Sequence, residues 1–233
     1  MSRGGDRMTG IIGAMRVEVD ALKEKMENVT VETVSGVEFF RGTLGGREVV
    51  LAQCGVGKVF AALCAQTMIL RYGVEQVIHT GVAGSLSEGL SVLDVAVAEA
   101  VVQHDMDTSP LGDPVGLISG INVVKIPTCG ALADKIEAAA KEMGKTVERG
   151  VIASGDQFIN NAEKKAWIVQ AFGAIACEME GAAIGHVCYV NGVDFAVLRT
   201  ISDNASGEAD MEFPEMARRA AEQAQAIILR TLS

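Results

Sequence analysis

Carboxylates follow apolar, strand-like runs at three separate places in this sequence. Glu18 comes shortly after the run 9–14, Glu178 and Glu180 come at the end of the run 174–178, and Asp203 follows Phe195–Leu198 with Arg199 and Ser202 in between. Ser154, Gly155 and Asp156 follow a fourth run, just ahead of Phe158 and Ile159, and Gly81–Gly84 follow a fifth. In α/β sheets ligands gather outside the carboxyl ends of the strands, so these ends should converge on one cleft. Glycoside-type chemistry asks for such a set. One carboxyl protonates the leaving group and another activates water, around an oxocarbenium-like transition state. An N-riboside adds the need for a group that grips the ribose hydroxyls.

Taken singly, these residues have plainer roles. A Glu in a first helical turn complements the helix dipole. Asp203 can cap a helix or close a turn, Glu180 can be an N-terminal helix charge, and Phe158 and Met179 can be core. Gly81–Gly84 reads as a tight turn from strand to helix. It has neither the G-x-G-x-x-G spacing of a dinucleotide site nor the G-K-[ST] of a P-loop, and no G-x-S-x-G elbow marks a serine hydrolase. The histidines, His79, His104 and His186, show no metal-ligand spacing, although His104 stands near Asp105 and Asp107.

The elements that must position these residues alternate. Strands are expected at 9–14, 38–44, 48–53, 75–80, 94–102, 148–153, 174–178 and 194–200, with a hairpin around Gly45-Gly46. Helices are expected at 16–27, 57–71, 130–143, 162–171, 180–191 and 211–231. Such alternation argues for an α/β fold on a largely parallel or mixed sheet.

The 233 residues can bury one sizeable core, and 49% of them are hydrophobic but only 4% aromatic. With a mean hydropathy of +0.28, either that core is large or apolar surface is covered by a partner. Thirty acidic against 20 basic residues give a net charge of −10, which argues against general nucleic-acid binding. The five cysteines, at 54, 64, 129, 177 and 188, are odd in number and have no C-x-x-C pair. We expect reduced thiols rather than a disulfide framework or a zinc site. No apolar run reaches the roughly 18 residues of a membrane helix, and MSRGGDR lacks the apolar stretch of a signal peptide. Residues 1–8 are therefore expected to be a loose leader ahead of one domain at 9–233, in a cytoplasmic protein.

Read together, GIIGAM (10–15) with Glu18, TGVAG (80–84), SGDQFIN (154–160), EMEGAA (178–183) and RTISDNA (199–205) are similar to the motifs of the 5′-methylthioadenosine/S-adenosylhomocysteine nucleosidases, in the same order. The resemblance runs from about residue 9 to the end of the chain. It implies the nucleoside phosphorylase fold, a single α/β domain with a central twisted mixed sheet flanked by helices, assembled as a homodimer and needing no metal or cofactor. Carried over residue by residue, it makes Glu18 the base that activates water and Asp203 the acid that protonates adenine N7. Glu180 would hold the 2′- and 3′-hydroxyls, with Met179 beside the sugar. Phe158 would stack on the purine, and the backbone of Ile159 would read its Watson–Crick edge. Arg199 would help order Glu18 and the water. Ser202 would stand with Asp203 in the substrate site, and Met15 and Phe213 would line the sugar and alkylthio region. The segment 104–112 resembles a loop that reaches the neighbouring subunit's site, with Thr108 and Leu111 as its contacts.

The chain departs from the family's commoner pattern at Val82, where Ser is frequent, at Leu111, where the loop often carries Phe, and at the following Asp113-Pro114. Related activities are an aminodeoxyfutalosine nucleosidase and, more distantly, a purine nucleoside phosphorylase. The latter would need cationic or hydroxyl donors for phosphate where this sequence puts Glu18. A nucleoside-binding protein without activity would need Phe158 and Glu180, but not both Glu18 and Asp203.

Overall fold

The structure, a computed structural model, describes residues 7–203 and 213–232. The chain opens with β1 (Thr9–Gly13), a 3₁₀ turn at Arg16–Glu18 and a single-turn helix α1 (Asp20–Lys23). A meander follows, β2 (Glu27–Val34), β3 (Val37–Leu44) and β4 (Arg47–Gln53), and then α2 (Lys58–Tyr72). Next come β5 (Gln76–Ser85), β6 (Val95–Gln103), a 3₁₀ turn at Ser109–Leu111, β7 (Ile126–Pro127) and α3 (Gly130–Glu142). The rest alternates: β8 (Val147–Ser154), α4 (Ala162–Phe172), β9 (Ala174–Glu178), α5 (Gly181–Asn191), β10 (Asp194–Asp203) and α6 (Phe213–Leu232).

Among the described residues these strands form one mixed ten-stranded sheet. β2, β3, β4 and β1 lead antiparallel, antiparallel and then parallel into β5. From β5 the sheet curls on itself through β10, β6, β8 and β9 and returns to β5. The closing contact is short and antiparallel, Gly84 with Cys177 and Ser85 with Ala176. It lays the end of β9 beside the end of β5, although the two strands run in opposite directions.

Period-two alternation divides the core between the faces of the sheet. Ile12 and Val77 point to one face, under Ala61, Cys64, Ala65 and Met68 of α2 and Ala182, Ile184 and Cys188 of α5. Their neighbours Ile11 and Ile78 point to the other, under Leu132 and Ile136 of α3 and Ala224, Ile227 and Ile228 of α6. A smaller cluster joins Ile168 and Phe172 of α4 to Val151 and Ala153 of β8. Small residues carry much of this packing, so helices sit close to strands.

Three sequence expectations need correction. The helix at 16–27 is broken, because Val19 after the 3₁₀ turn is not helical and β2 already begins at Glu27. The alternating residues of β2 were not read as a strand. It is an edge strand exposed along most of its length, so it carries little apolar signal. Gly81–Gly84 is not a turn into a helix but part of the C-terminal half of β5. Residues 1–6 of the expected leader lie outside the described residues, as do 204–212, and the side chain of Phe213 is not described.

The close approach of α5 gives the first prediction. A Cβ on Gly185 would meet Phe195 Cε2 at 2.7 Å and Val101 Cγ2 at 2.8 Å. Alanine improves helix propensity by about 1 kcal/mol, but overpacking a tight core costs about 1–3 kcal/mol. Gly185→Ala is therefore expected to lower the urea midpoint; an increased midpoint would show that α5 can shift off the sheet.

Candidate active site

A cleft of about 200 Å³ opens where β1, β5, β9 and β10 end. Met15, Glu18, Val82, Met179, Glu180, Ser202 and Asp203 line it, together with Phe158 and Ile159 from the segment after β8. The sequence thus named most of the wall. Ala14, Val56, Gln157, Cys177 and Glu178 also line it and were not assigned there. Thr108 and Leu111 do not. Thr108 donates to Asp113 Oδ2 at 2.8 Å, and Leu111 is 83% exposed. Arg199 lies behind the wall, only 1% exposed.

Glu18 is held by backbone. Its Oε2 accepts from the N–H groups of Ala14 (2.7 Å) and Met15 (2.8 Å), and Oε1 accepts from that of Val82 (3.1 Å). The 3₁₀ turn replaces the expected helix because this carboxylate folds back on the residues leaving β1. Gly81 makes room for it, since a Cβ there would lie 2.5 Å from Glu18 Oε1 and 2.9 Å from Arg199 Nη1.

Glu178 and Glu180 divide the start of α5. Glu178 accepts from the N–H of Glu180 at 3.1 Å and from that of Gly181 at 2.9 and 3.0 Å. Ser154 donates its hydroxyl to Glu178 and accepts from the Ala182 N–H at 2.7 Å. The helix N-terminus is thereby capped without Glu180. Glu180 instead accepts from the Gly57 N–H at 2.8 Å, before α2, and turns to the cleft.

Behind them is a buried cation. The Arg199 guanidinium donates to Glu178 and to His79, and its Nη2 lies 4.0 Å from Glu180. His79 Nδ1 is 2.9 Å from the Ile12 carbonyl oxygen. A carbonyl only accepts, so Nδ1 carries the proton and Nε2 offers its lone pair to Arg199. Burial, with Arg199 beside it, lowers the basicity of His79 and keeps it neutral. His79, Glu178 and Glu180 place ligand-type atoms within 4.8 Å of one another. The cation already among them is the guanidinium.

The two glutamates are pushed apart. Burial alone would raise Glu178, but Arg199 and the Ser154 hydroxyl overcome it and hold the carboxyl below the usual range. Burial and the neighbouring Glu178 push Glu180 up to about 8, against the pull of Arg199. At the far side Asp203, the last residue of β10, accepts from the Ser202 hydroxyl at 3.0 Å. Its Oδ2 lies 3.7 Å from Lys165 Nζ.

Sequence reasoning gave no role to Glu178, His79 or Lys165. Period two puts His79 on the same face as Gly81, and a lone histidine in an apolar strand was the available signal.

The family model described as the phosphorylase superfamily matches residues 9–233. The chain belongs to the phosphorylase superfamily. Within the superfamily, an aminodeoxyfutalosine nucleosidase of Helicobacter pylori is 41% identical over 214 residues, 91% of this chain and 92% of that protein. A 5′-methylthioadenosine/S-adenosylhomocysteine nucleosidase of Staphylococcus aureus is 40% identical over 215 residues, 92% and 94% of the two chains. The crystal structure of the Helicobacter pylori 5′-methylthioadenosine/S-adenosylhomocysteine nucleosidase, in complex with a pyrrolidine ligand bearing a 4-aminopyrrolopyrimidine, superposes with a TM-score of 0.89. It is 38% identical and covers 96% of this chain and 97% of that one. The single mixed α/β sheet with flanking helices is thus the fold of this superfamily.

The raised Glu180 gives a signed prediction. A carboxyl raised in the fold contributes stability that is full below its unfolded value, near 4.5, and is lost as pH rises through about 8. Glutamine has no charge to bury and can still accept from Gly57. Glu180→Gln is expected to match the parent near the acid end and to gain at least about 1 kcal/mol above pH 8, roughly 2–4 °C in Tm. Thermal melts across this range without such divergence would contradict the raised value.

Proposed function

We propose that the protein hydrolyses the N-glycosidic bond of 5′-methylthioadenosine and S-adenosylhomocysteine, releasing adenine and the thio-substituted ribose. The observation that carries this reading is the seat of Glu18. Three backbone N–H groups converge there, an arrangement that would otherwise welcome an anion. A carboxylate fills it, so phosphate is repelled and water is left as the nucleophile.

In this reading Glu18 takes a proton from water as its oxygen attacks C1′. Asp203 gives a proton to adenine N7, so the C1′–N9 electron pair leaves into a neutral base rather than an anion. Glu180, short of donors, accepts from the ribose 2′- and 3′-hydroxyls, with Met179 beside the sugar. Phe158, exposed at the mouth of the cleft, swings over the purine, and the Ile159 backbone meets its edge. Met15, Val82 and Ser202 complete the wall. Arg199 acts from behind by fixing Glu178 and facing Glu18 across Gly81. Residues 9–233 form the nucleosidase domain, and the reaction needs no metal or cofactor.

Aminodeoxyfutalosine is the second substrate to test, since the relative from Helicobacter pylori named for it matches this chain as fully as the methylthioadenosine relative does. Adenine release from both nucleosides, with and without phosphate, is the deciding assay. Phosphate-independent release is expected, and strict phosphate dependence with ribose-1-phosphate as product would end the hydrolase reading. In the same assay Asp203→Asn and Glu18→Gln should each lose at least ~10²-fold in turnover while staying folded and still binding adenosine analogues. Near-parental turnover in either variant would refute its assigned role.

We further propose a homodimer. Val59 (70% exposed), Leu63 and Leu70 (75%) form one apolar stripe on α2, flanked by Phe60 and by Tyr189 and Val190 of α5. Such a stripe beside a cleft asks for cover. A second copy would supply it and bring Thr108 and Leu111, idle in their own subunit, to the partner's cleft. No described helix is long and apolar enough to cross a membrane. All five cysteines are free, the state a reducing compartment keeps, and this supports a cytoplasmic location. Sedimentation should find a dimer in the parent, and Leu63→Glu should shift it toward monomer with at least ~10-fold less activity, since the partner's Thr108 and Leu111 contacts are then missing from each site. A fully active monomer would exclude the shared site.

A further inference from the structure

Lys165 is the one buried lysine among the described residues, 6% exposed. It shares the inward face of α4 with Ile168 and Phe172. That spacing, three and seven residues on, is a core stripe where an apolar side chain would ordinarily stand. Burying an ammonium there is costly unless an anion meets it. The anion at hand is Asp203, whose Oδ2 is 3.7 Å from Lys165 Nζ.

Among the described residues, the groups around this pair are these. The Ser202 hydroxyl donates to Asp203 Oδ1, and Gly84 of β5 leaves space, since a Cβ there would lie 3.0 Å from Oδ2. On β9 the Cys177 thiol stands near both charges, with Glu178 beyond it, and burial pushes this thiol up to about 12, so it stays neutral. The helix α6, packed on β10 and β5, turns Met216, Ala217, Ala220 and Ala221 inward. Its Glu215, Arg218 and Glu222 are exposed and its Arg219 is half-buried. Arg199, the other buried cation, is committed to Glu178 and His79.

We propose that Lys165 is a positioning residue for the acid step, supplying the fixed positive charge that receives the Asp203 carboxylate as its proton leaves for adenine. The inference rests on the reading of Asp203 as the acid. In the step the Asp203 O–H bond breaks, the N7–H bond forms, and the glycosidic electron pair passes into the purine. Lys165 remains an ammonium throughout and gives up nothing. A fixed positive charge beside a carboxyl favours its ionised form over its acid form.

Removing the charge therefore has two opposite effects. The carboxyl keeps its proton to higher pH, so the alkaline limb of kcat/KM moves up by roughly one pH unit. The same carboxyl becomes a weaker acid, so the plateau falls roughly three- to tenfold. A lysine that merely packed α4 would change the melting temperature and the plateau without moving the limb.

The test is the pH dependence of adenine release from methylthioadenosine by the parent, Lys165→Met, Lys165→Gln and Lys165→Arg, with folding followed by circular dichroism. The limb is expected to rise in the Met and Gln variants and to return to the parental position in Arg. Gln carries the comparison if Met folds poorly. A folded neutral variant with an unmoved limb, or an Arg variant whose limb moves as far as that of Met, overturns the proposal. Asp203→Asn separates the two inferences. Retained turnover there would remove the acid reading itself, whereas lost turnover with an unmoved limb in the neutral Lys165 variants would remove only the role of Lys165.

Discussion

The Arg199 guanidinium, buried behind the cleft, is the group on which the site's geometry depends. It donates to Glu178 and His79 and lies 4.0 Å from Glu180. Burial works against its charge, but Glu178, Glu18 and Glu180 together more than offset that. Without this cation, the acidic groups at the ends of β9 and β1 would face one another in a dry interior, an arrangement that drives protonation or unfolding. With it, Glu178 stays ionised and can cap α5, which frees Glu180 for the cleft. His79 completes the arrangement by presenting a lone pair to Arg199, as its own proton is held by the Ile12 carbonyl.

Four acidic side chains line one cleft in four different surroundings. Glu18 is ringed by backbone N–H groups, Glu178 by a guanidinium and a helix N-terminus, Glu180 by a single N–H, and Asp203 by a hydroxyl and an ammonium. Carboxyl groups separate into acid, base and hydrogen-bond acceptor through such differences, not through residue type. The glycines of β5 are part of the same arrangement. Gly81 and Gly84 keep that strand bare where Glu18 and Asp203 lie against it, which is why a segment that reads as a turn remains strand.

Strand ends and the residues just beyond them were legible because apolar runs and their polar followers are local features. The buried strands around Ile11–Ile12 and Phe195–Leu198 carry that signal fully. The edge strand β2 does not, since its side chains face water, and the expected helix at 16–27 failed because Glu18 is drawn back to Ala14 and Met15 across a contact that periodicity cannot register. His79 and Lys165 were missed, and Glu178 was placed without a role, for one shared reason. Each has its meaning from partners that are distant in sequence: Glu178 from Arg199 and Ser154, His79 from Arg199 and Ile12, Lys165 from Asp203. Local patterns mark where chemistry can stand, while the charges that tune it arrive through the folded sheet.

The short β5–β9 pairing decides how that tuning reaches the cleft. β9 runs against β5 and meets it only at Gly84 and Ser85, so Glu178 and Glu180 emerge beside a strand whose own end lies next to Asp203. A parallel pairing in full register would have spread these groups along one edge of the sheet. Curling the sheet instead gathers four carboxyl groups around a small volume, and the cost of that crowding is met by cations buried on two sides, Arg199 behind and Lys165 beneath. Glu180 is the group this arrangement leaves least satisfied, with a single N–H to accept and Glu178 next to it. Neighbouring hydroxyl donors are what its carboxylate lacks, and a ribose brings two of them on adjacent carbons. In the proposed reading, a ligand with vicinal hydroxyls would supply the donors that Glu180 lacks.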